Sequence, residues 1–413
     1  MRAVIVDGDV SYPPTSGKRL RTLNLMLRLA PRHHITYIAR PATAGQNLEQ
    51  AASYLRGAGI EPLLVDAPLA RKGGPLFYGR LLKNLFSSLP YSVASHRSGA
   101  MRQALAQFAA QHPVDVWQFE WSAYLDLLDP AVPGARLLIA HNVDSLIWQR
   151  YWENARGLKK KYIGIQWRRF ERFEGEAFRK ADRVVAVSNE DARLIRERFG
   201  QPNVDVVDNG VDLAHFDSVH GARDPFHILF LGALDWRPNI DSVELLLDKI
   251  FPAVHAREPR ARLEIVGRHP PQGLVDRAHG QPGVKLYADV PDVRPFLGQC
   301  GAMVVPLRIG GGSRLKILEA LACGLPVIST AVGAEGLDLQ AGEHYVQASE
   351  DGMAAALLDF MKEPGPARAM AEKGRAHIEG LYDWEVLARK LEAVWEKCAA
   401  ARPDRAATGA RSG

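Results

Sequence analysis

Hydrophobic and polar positions along this chain follow two alternating periods. Short apolar, β-branched runs such as Ala3–Asp7 predict buried strands. Each run is followed by a segment whose apolar residues recur every three or four positions, as at Leu20, Leu23 and Leu27, which predicts an amphipathic helix. Strands that alternate with helices in this way are typical of an α/β fold with a parallel sheet. We therefore predict a doubly wound α/β architecture.

The alternation is interrupted once, which divides the predicted strands into two sets. The strands are predicted at 3–7, 35–39, 62–65, 114–119, 136–140, 183–188 and 204–207, and then at 227–231, 262–267, 284–288, 302–306, 327–330 and 344–347. Between the sets, Asn209-Gly210 marks a tight turn. We predict an N-terminal domain over 1–212, a linker over 213–225, a second domain over 226–382, a last amphipathic helix over 383–400 and a disordered tail over 401–413.

Length and composition agree with two globular domains. The 413 residues exceed one ordinary core, and 47% are hydrophobic and 24% charged. The formal charge of +5 is too small to indicate a partner by itself. The cysteines are Cys300, Cys323 and Cys398, and their wide spacing favours a reducing cytoplasm over disulfides or a cysteine zinc site. No stretch reaches the roughly 18–20 apolar residues of a membrane span, and Met1–Val10 is not a signal peptide.

The most informative stretch is Arg308–Pro326. Three consecutive glycines, Gly310–Gly312, follow an apolar run, and a helical pattern begins after Ser313. A glycine loop before a helix presents unpaired backbone N–H groups and the positive end of the helix dipole, which together suit an anion. Arg314 and Lys316 add two cations in the first turn, where they oppose the dipole unless an anion lies there. The stretch therefore predicts an anion site.

Glu319 is the acidic residue of the helix that follows. Its helix neighbours are apolar: Leu315, Ile317, Leu318, Ala320, Leu321 and Ala322. A carboxylate among apolar side chains is rarely buried without a partner. Two interpretations are open, a surface Glu paired along the helix with Lys316 or Arg314, or a carboxylate that binds a ligand beside the glycine loop. Gly324 and Pro326 end this helix.

The run Gly310–Leu337 resembles the nucleotide-sugar signature of the retaining GT-B glycosyltransferases of family 4, also called glycosyl transferases group 1. The resemblance is collinear over residues 3–396 and strongest over 302–337. It implies two Rossmann-like doubly wound domains facing across a cleft, with the C-terminal helix crossing back to the first domain. It also implies a nucleoside-diphosphate sugar as donor, an acceptor that is a glycan or lipid-linked intermediate, and no metal or further cofactor.

The same resemblance assigns donor-site residues. In the family's Glu-x7-Glu motif the second Glu binds the nucleotide ribose and corresponds to Glu319, while the first is replaced here by Gly311. The candidate donor-binding residues of this region are Gly311, Gly312, Ser313, Leu315 and Glu319, with Arg314 and Lys316 as the catalytic cations for the diphosphate. The family often carries Arg and Lys where this chain has Ala233 and Asn239, and Arg237 is the candidate substitute.

Candidate residues of the N-terminal domain follow predicted strands or precede the first helix. Gly17 lies in the loop after the first strand, where an α/β sheet meets its ligands, although a simple loop glycine has the same pattern. Glu120 and His141 each follow a strand. A lone His is more often structural, but the resembled family commonly has a His at the position of His141, which contacts the donor sugar and contributes to catalysis.

Residues 148–173 mix aromatic side chains with Lys and Arg. Three interpretations are open. The first is a long helix packed on the N-terminal sheet with a solvated basic face. The second is a surface that contacts a membrane or a lipid-linked acceptor, which would place a cytoplasmic protein at the inner membrane surface. The third, nucleic-acid binding, lacks any accompanying recognition motif, and we expect no nucleic-acid partner.

These patterns predict transfer of a sugar from a nucleoside-diphosphate sugar to an acceptor hydroxyl, with retention as the resemblance implies. Without a carboxylate clearly placed as nucleophile, we favour attack on the same face, assisted by the leaving phosphate. The alternatives are a catalytically impaired module that binds nucleotide sugars, and a GT-B epimerase or phosphorylase. A dehydrogenase is disfavoured because no G-x-G-x-x-G follows a strand with an acid about 20 residues on.

Overall fold

The computed structural model describes residues 1–41, 46–70, 73–217, 219, 221–308 and 314–401. The chain divides into two compact units. The first comprises Met1–Asp208 and the chain from Leu387 onward, and the second comprises Asn209–Val386. This division lies a few residues before the boundary predicted at 212. Except for Ala401, the predicted tail lies outside the described residues.

The first unit is built on a parallel sheet. Its described strands are β1 (Arg2–Asp7), β2 (His34–Ala39), β3 (Ile60–Leu64), β4 (Val116–Phe119), β5 (Ala135–Ala140), β6 (Arg183–Ala186) and β7 (Val204–Val206). They are ordered β3-β2-β1-β4-β5-β6-β7, and each neighbouring pair is parallel. The strand order therefore reverses between β1 and β4, the point at which doubly wound sheets bind ligands.

Helices connect these strands, as parallel pairing requires. They are α1 (Gly17–Leu29), α2 (Leu48–Gly57), α3 (Gly74–Asn84), α4 (Tyr91–His96), α5 (Gly99–Gln111), α6 (Ser122–Leu125), α7 (Asp144–Asn154), α8 (Gly157–Lys180) and α9 (Asn189–Phe199). Strand β5 is buried at every position, because helices cover both faces of the sheet. Trp117, Phe119, Phe170 and Phe178 are the largest fully buried side chains of one core.

The second unit repeats this plan. Its described elements are α10 (Leu213–Asp217), β8 (Asp224–Leu231), α11 (Arg237–Leu245), a π-helical turn (Leu246–Ile250), α12 (Phe251–His255), β9 (Arg262–Gly267), α13 (Gln272–His279), β10 (Val284–Ala288), α14 (Arg294–Gln299), β11 (Cys300–Val305), α15 (Leu315–Ala322), β12 (Val327–Ser329), α16 (Ala331–Ala334), β13 (Val346–Gln347), α17 (Met353–Lys362) and α18 (Gly365–Tyr382). The parallel strands are ordered β10-β9-β8-β11-β12-β13, so the reversal lies between β8 and β11. Both units are thus Rossmann-like α/β folds.

The segment expected to be a linker is more structured than its polar sequence indicates. It contains α10 and the start of β8, and Phe216 and Val219 are buried in the core of the second unit. Arg223 donates to the carbonyl oxygens of Cys323 and Gly324. Burial of two apolar side chains and these hydrogen bonds hold the described part of this stretch against the second unit.

The last helix, α19, spans Trp384–Ala400. From Leu387 onward it belongs to the first unit, where Leu391 and Trp395 are buried. Glu392 accepts hydrogen bonds from Arg32 and His33 at the end of the α1–β2 connection. Apolar burial and these ion pairs hold α19 on the first unit.

Candidate active-site residues in the two units

In the first unit, three ionisable side chains lie at the carboxyl ends of neighbouring strands. Asp7 ends β1, Glu120 follows β4 and His141 follows β5. The His141 ring nitrogen Nε2 lies 2.9 Å from Glu120 Oε2. The sequence indicated both residues separately, and the structure brings them together at the reversal of strand order.

The Glu120 carboxylate is buried but accepts several hydrogen bonds. Oε2 accepts from the Thr22 hydroxyl at 2.7 Å as well as from His141, and Oε1 accepts from Gln118 Nε2 at 2.6 Å. Burial by itself raises the pKa of Glu120. The hydrogen bond and electrostatic interaction with His141, the charge of Lys18 and the hydrogen bond from Thr22 outweigh burial and lower the pKa to about 2. Glu120 is therefore a carboxylate at neutral pH.

This carboxylate determines the state of His141. Burial lowers the pKa of the His141 imidazole, although the hydrogen bond to Glu120 opposes that shift. An ionised carboxylate can only accept, so Nε2 of His141 carries the proton. A neutral imidazole in this tautomer keeps its Nδ1 lone pair as an acceptor for a hydroxyl donor.

A second buried carboxylate, Asp7, pairs with the start of α1. Lys18 forms an ion pair with Asp7, and the Tyr37 hydroxyl donates to Asp7 Oδ2 at 2.9 Å. Burial raises the pKa of Asp7, and Lys18 opposes this shift. Gly17 is the first residue of α1, directly before Lys18. The sequence reasoning missed the pair of Asp7 and Lys18, although an acid at a strand end and a Lys after the glycine loop signal it.

In the second unit, Arg314 and Lys316 are directed by different partners. Arg314 precedes α15 with a left-handed φ of 51°, a conformation that costs a non-glycine residue about 1–3 kcal/mol. Its guanidinium donates at 2.9 Å to the carbonyl oxygen of Val332, which lies in α16. Lys316 Nζ donates to Asn239 Oδ1 at 2.8 Å and lies 4.8 Å from the centre of the Phe230 ring.

The environment of Lys316 disfavours its charge. Burial, followed by the positive charge of Arg314, lowers the pKa of the ammonium to about 7. Gly232 follows β8, and a Cβ atom there would lie 2.9 Å from Lys316 Nζ and 2.8 Å from Asn239 Nδ2. The glycine therefore leaves the space that the lysine amine occupies. An anion placed against this amine raises its pKa and restores its full charge.

Glu319 lies one turn further along α15. Burial raises the pKa of its carboxyl to about 7, with Lys316 as a weaker opposing influence. Among the described residues, no side chain forms a hydrogen bond or ion pair with Glu319. The helix pairing with Lys316 or Arg314 that the sequence left open is therefore not formed, because those cations bond to Asn239 and Val332.

The remaining candidates of the second unit have different placements. Arg237 begins α11 and is exposed, while Asn239, two residues on, contacts Lys316. The sequence marked Asn239 only as a departure from the family and gave no sign of its contact with Lys316. Leu315 is the first residue of α15 and is partly buried. Gly311, Gly312 and Ser313 lie outside the described residues.

The aromatic residues of the basic segment pack mainly against one another. Trp148 stacks on Phe170 with ring centres 5.8 Å apart, and Trp152 lies 5.1 Å from Trp167. These pairs join α7 to α8, so the segment forms two packed helices where the first interpretation predicted one long helix. Tyr151 is exposed.

The described part of the chain has neither a membrane-spanning helix nor a cluster of metal-binding side chains. None of its helices combines the length and apolarity that a membrane span requires. No group of three or more His, Cys, Asp or Glu side chains in those residues could hold a metal ion.

Two parallel sheets, each with charged side chains beside its reversal of strand order, define a protein of the GT-B class. The chain belongs to the family of glycosyl transferases group 1, or family 4. A family model described as Glycosyltransferase Family 4 matches residues 21–215, and one described as Glycosyl transferases group 1 matches residues 225–363. Together they cover most of the chain.

A similar curated protein is a GDP-mannose-dependent monoacylated alpha-(1-6)-phosphatidylinositol monomannoside mannosyltransferase of Corynebacterium glutamicum. It is 28% identical over 241 residues, which are 51% of this chain and 61% of that protein. Three further curated relatives align over 54–56% of their lengths, so the chain spans little more than half of the curated relatives it matches first.

Solved structures share the fold over nearly the whole chain. The sucrose-phosphate synthase of Thermosynechococcus elongatus superposes with a TM-score of 0.68 at 18% identity, over 97% of this chain and 100% of that one. The Anabaena protein Alr3699/HepE, solved in complex with UDP and glucose, superposes with a TM-score of 0.65 at 12% identity, over 96% of this chain and 99% of that one. At these identities the likeness establishes the fold alone.

Proposed function

We propose that this protein transfers a sugar from a nucleoside-diphosphate sugar to an acceptor hydroxyl, with retention of anomeric configuration. The observation that carries the proposal is the cluster at the start of α15. There a partly buried lysine with its pKa near 7 adjoins a buried arginine and the Glu319 carboxyl, to which no described side chain bonds, beside the reversal of strand order. Such a cluster is disfavoured by itself and is stabilised by a bound anion.

The cations have a defined task in this proposal. Departure of the sugar leaves negative charge on the diphosphate, and Lys316 and Arg314 stabilise that charge without a metal ion. One preorganised donor of this kind typically contributes about 2.7–4 kcal/mol to the transition state. Glu319 accepts hydrogen bonds from the nucleotide ribose, which supplies the partner that its carboxylate lacks. Arg237, Leu315 and the N–H groups of Gly311–Ser313 are further proposed donor contacts, with Gly17 on the first unit.

His141 is the proposed catalytic side chain of the first unit. Its Nδ1 accepts a hydrogen bond from a hydroxyl of the donor sugar, while Nε2 is held by Glu120. Because Glu120 accepts hydrogen bonds from His141, Thr22 and Gln118, it is poorly suited to act as a nucleophile. We therefore favour attack on the same face of the sugar. A glycosyl adduct on a carboxylate, trapped and identified by mass spectrometry, would contradict this mechanism.

The donor and acceptor are proposed only as classes. The name of the Corynebacterium relative specifies GDP-mannose and a glycolipid, and the Anabaena neighbour was solved with UDP and glucose. These proteins support a nucleoside-diphosphate hexose as donor and a glycan or lipid-linked hydroxyl as acceptor. They support neither base over the other.

A lipid-linked acceptor motivates a further proposal, a peripheral contact with the inner membrane surface. Residues 67–114 contain Lys and Arg but no Asp or Glu. In this stretch Leu76 on α3 is 81% exposed and Phe86, just after α3, is 95% exposed. Arg169 of the predicted segment 148–173 donates to the carbonyl oxygens of Asn84 and Leu85, which joins α8 to this apolar surface. Exposed apolar side chains flanked by cations suit an anionic lipid surface.

The membrane contact is tested by cosedimentation with vesicles of phosphatidylglycerol and phosphatidylcholine. The change Phe86→Gln is expected to weaken binding by about 10- to 100-fold, because one buried aromatic side chain contributes about 1.5–3 kcal/mol. Tyr54→Gln, which changes an exposed side chain of α2, serves as the control. Equal binding of wild type and both variants, or no binding by any, would refute the contact.

The sugar transfer is tested first by thermal melting against UDP, GDP, ADP and their hexose conjugates. A ligand at about 100 times its Kd adds roughly 2.7 kcal/mol of stability. Turnover of the stabilising conjugate is then measured with and without glycan and lipid acceptors. Transfer that requires an acceptor supports the proposal. Binding without turnover indicates an impaired binding module, and a product formed without an acceptor indicates an epimerase or phosphorylase.

A further inference from the structure

A chain of buried hydrogen bonds connects α19 to His141 within the first unit. Trp395 Nε1 donates to Gln118 Oε1 at 2.7 Å, and Gln118 Nε2 donates to Glu120 Oε1 at 2.6 Å. Glu120 Oε2 lies 2.9 Å from His141 Nε2. Trp395, Gln118 and Glu120 are each no more than 3% exposed. The chain therefore runs through the protein interior, where such bonds are stronger than in water.

The direction of each bond in this chain is fixed by a group that can only donate or only accept. An indole N–H can only donate, so the Gln118 oxygen must face Trp395. The amide nitrogen then faces Glu120 and donates to it. Glu120, as a carboxylate, can only accept, so the nitrogen of His141 that faces it carries a proton. Glu120 thus specifies the tautomer of the imidazole, while Trp395 and Gln118 hold the Glu120 carboxylate in place against it.

The position of Trp395 is fixed by burial and by contacts with the α1–β2 connection. Its side chain is fully buried, and its ring centre lies 5.4 Å from that of His33 in an edge-on arrangement. Glu392, one turn earlier on α19, bonds to Arg32 and His33. These contacts hold the indole where it meets Gln118.

We propose that Gln118 and Trp395 are positioning residues, and that α19 acts through them to hold Glu120 and to keep His141 in the tautomer with Nε2 protonated and Nδ1 free to accept. We call the hydrogen-bonded chain from Trp395 through Gln118 and Glu120 to His141 the relay. Its catalytic significance rests on the role proposed for His141. The relay itself is a property of the resting protein and is tested without substrate. Its effect on turnover is expected mainly in kcat, since the relay orients a side chain rather than adding a contact to the donor.

The helix offers a matched control. Trp384, in the first turn of α19, is also fully buried, and no described residue hydrogen-bonds its Nε1. Trp384→Phe and Trp395→Phe therefore remove the same atoms from the same helix, but only the second removes a link of the relay. Gln118→Met removes the middle link while keeping an unbranched side chain of similar length.

The tautomer is read from long-range nitrogen and proton correlations in protein labelled with nitrogen-15 histidine, with His141 assigned by comparison with His141→Gln. In wild type the Nε2–H tautomer of His141 is expected to dominate. Trp395→Phe and Gln118→Met are expected to shift its imidazole signals toward a mixture, whereas Trp384→Phe leaves them unchanged. An Nδ1–H tautomer in wild type overturns the relay even if no variant folds, and so do unchanged signals in both relay variants.

Turnover separates the relay from the function on which it rests. If His141 acts as proposed, Trp395→Phe lowers kcat between about threefold and tenfold with little change in the donor KM, the effect of losing one hydrogen bond. Equal losses in Trp384→Phe and Trp395→Phe indicate a merely structural role for Trp395 and overturn the positioning role. If His141→Gln retains full transfer, the proposed role of His141 fails, and the tautomer measurement still decides the relay.

Discussion

Glu120 in the first unit is buried and Glu319 in the second is partly buried, both near a reversal of strand order, but their pKa values move in opposite directions. Hydrogen bonds from His141 and Thr22 help to lower the pKa of Glu120 to about 2, whereas burial raises that of Glu319 to about 7. In the first cluster, formed by Glu120 and the side chains around it, the carboxylate accepts hydrogen bonds from His141, Thr22 and Gln118. The second leaves a carboxyl and a lysine amine poorly satisfied, as a site for a polar, charged ligand requires.

The largest expected effect is the loss of the amine in the second cluster. Lys316→Met is expected to lower kcat/KM for sugar transfer by about 10²–10³-fold, because it removes a preorganised cation from the diphosphate. The stability of the unliganded protein is expected to be maintained, because a charge that burial disfavours has been removed. Initial rates and thermal melting measure the two quantities.

The control for this change is Lys249→Met. Lys249 is exposed and pairs with Glu350 and Asp351, so its removal is expected to leave the rate unchanged. If Lys316→Met loses no more activity than Lys249→Met, the second cluster is not a donor site. The contrast between the two carboxyls then has no functional meaning.

A smaller effect is expected in the pH dependence of stability. The folded pKa of Glu319 is raised from 4.5 to about 7, so its stabilising contribution is present below pH 4.5 and is lost as pH rises to about 7. Glu319→Gln is therefore expected to equal wild type near pH 4.5 and to exceed it by about 1–3 kcal/mol at pH 8 without ligand.

Urea unfolding of wild type and Glu319→Gln at several pH values measures this difference. The sign would be opposite if the Glu319 carboxylate were stabilised by the folded protein. A variant that is less stable than wild type at pH 8 would thus contradict the contrast between the two carboxyls.

The smallest expected effect concerns one hydrogen bond of the first cluster. Thr22→Val replaces a buried hydroxyl that donates to Glu120 and is expected to cost about 0.5–1.5 kcal/mol. Ser122→Ala removes a buried hydroxyl that no described residue hydrogen-bonds, and its effect is expected to be within about 0.5 kcal/mol. Equal unfolding free energies for the two variants would show that Glu120 does not depend on its donors.

The doubly wound fold was predictable because its signals are local. Burial on both faces gives each strand a short apolar run, and the Gly324 and Pro326 that follow α15 end it in sequence as in structure. The prediction of two Rossmann-like domains is confirmed. The order within the expected linker was not predictable, since burial of Phe216 and Val219 depends on residues distant in sequence.

The sequence predicted where the candidate site residues lie along the chain, but not which of them contact one another. Glu120 and His141 were recognised at strand ends, but their contact joins residues 21 apart, and the Lys316 contact with Asn239 joins residues 77 apart. Nothing in the local pattern indicates such pairs. The roles of Gly17, Arg237 and the loop Gly311–Ser313 in donor binding stay predictions.

The hydrogen bond from Trp395 to Gln118 also has a consequence for biosynthesis. The ribosome releases the strands of the first unit early, but Trp395 is synthesised only after the whole of the second unit, Asn209–Val386. Domains generally fold in the order in which they are made. The nascent first unit therefore exists for a time with Gln118 lacking its indole partner, and its interior is completed only after translation of the second unit has ended.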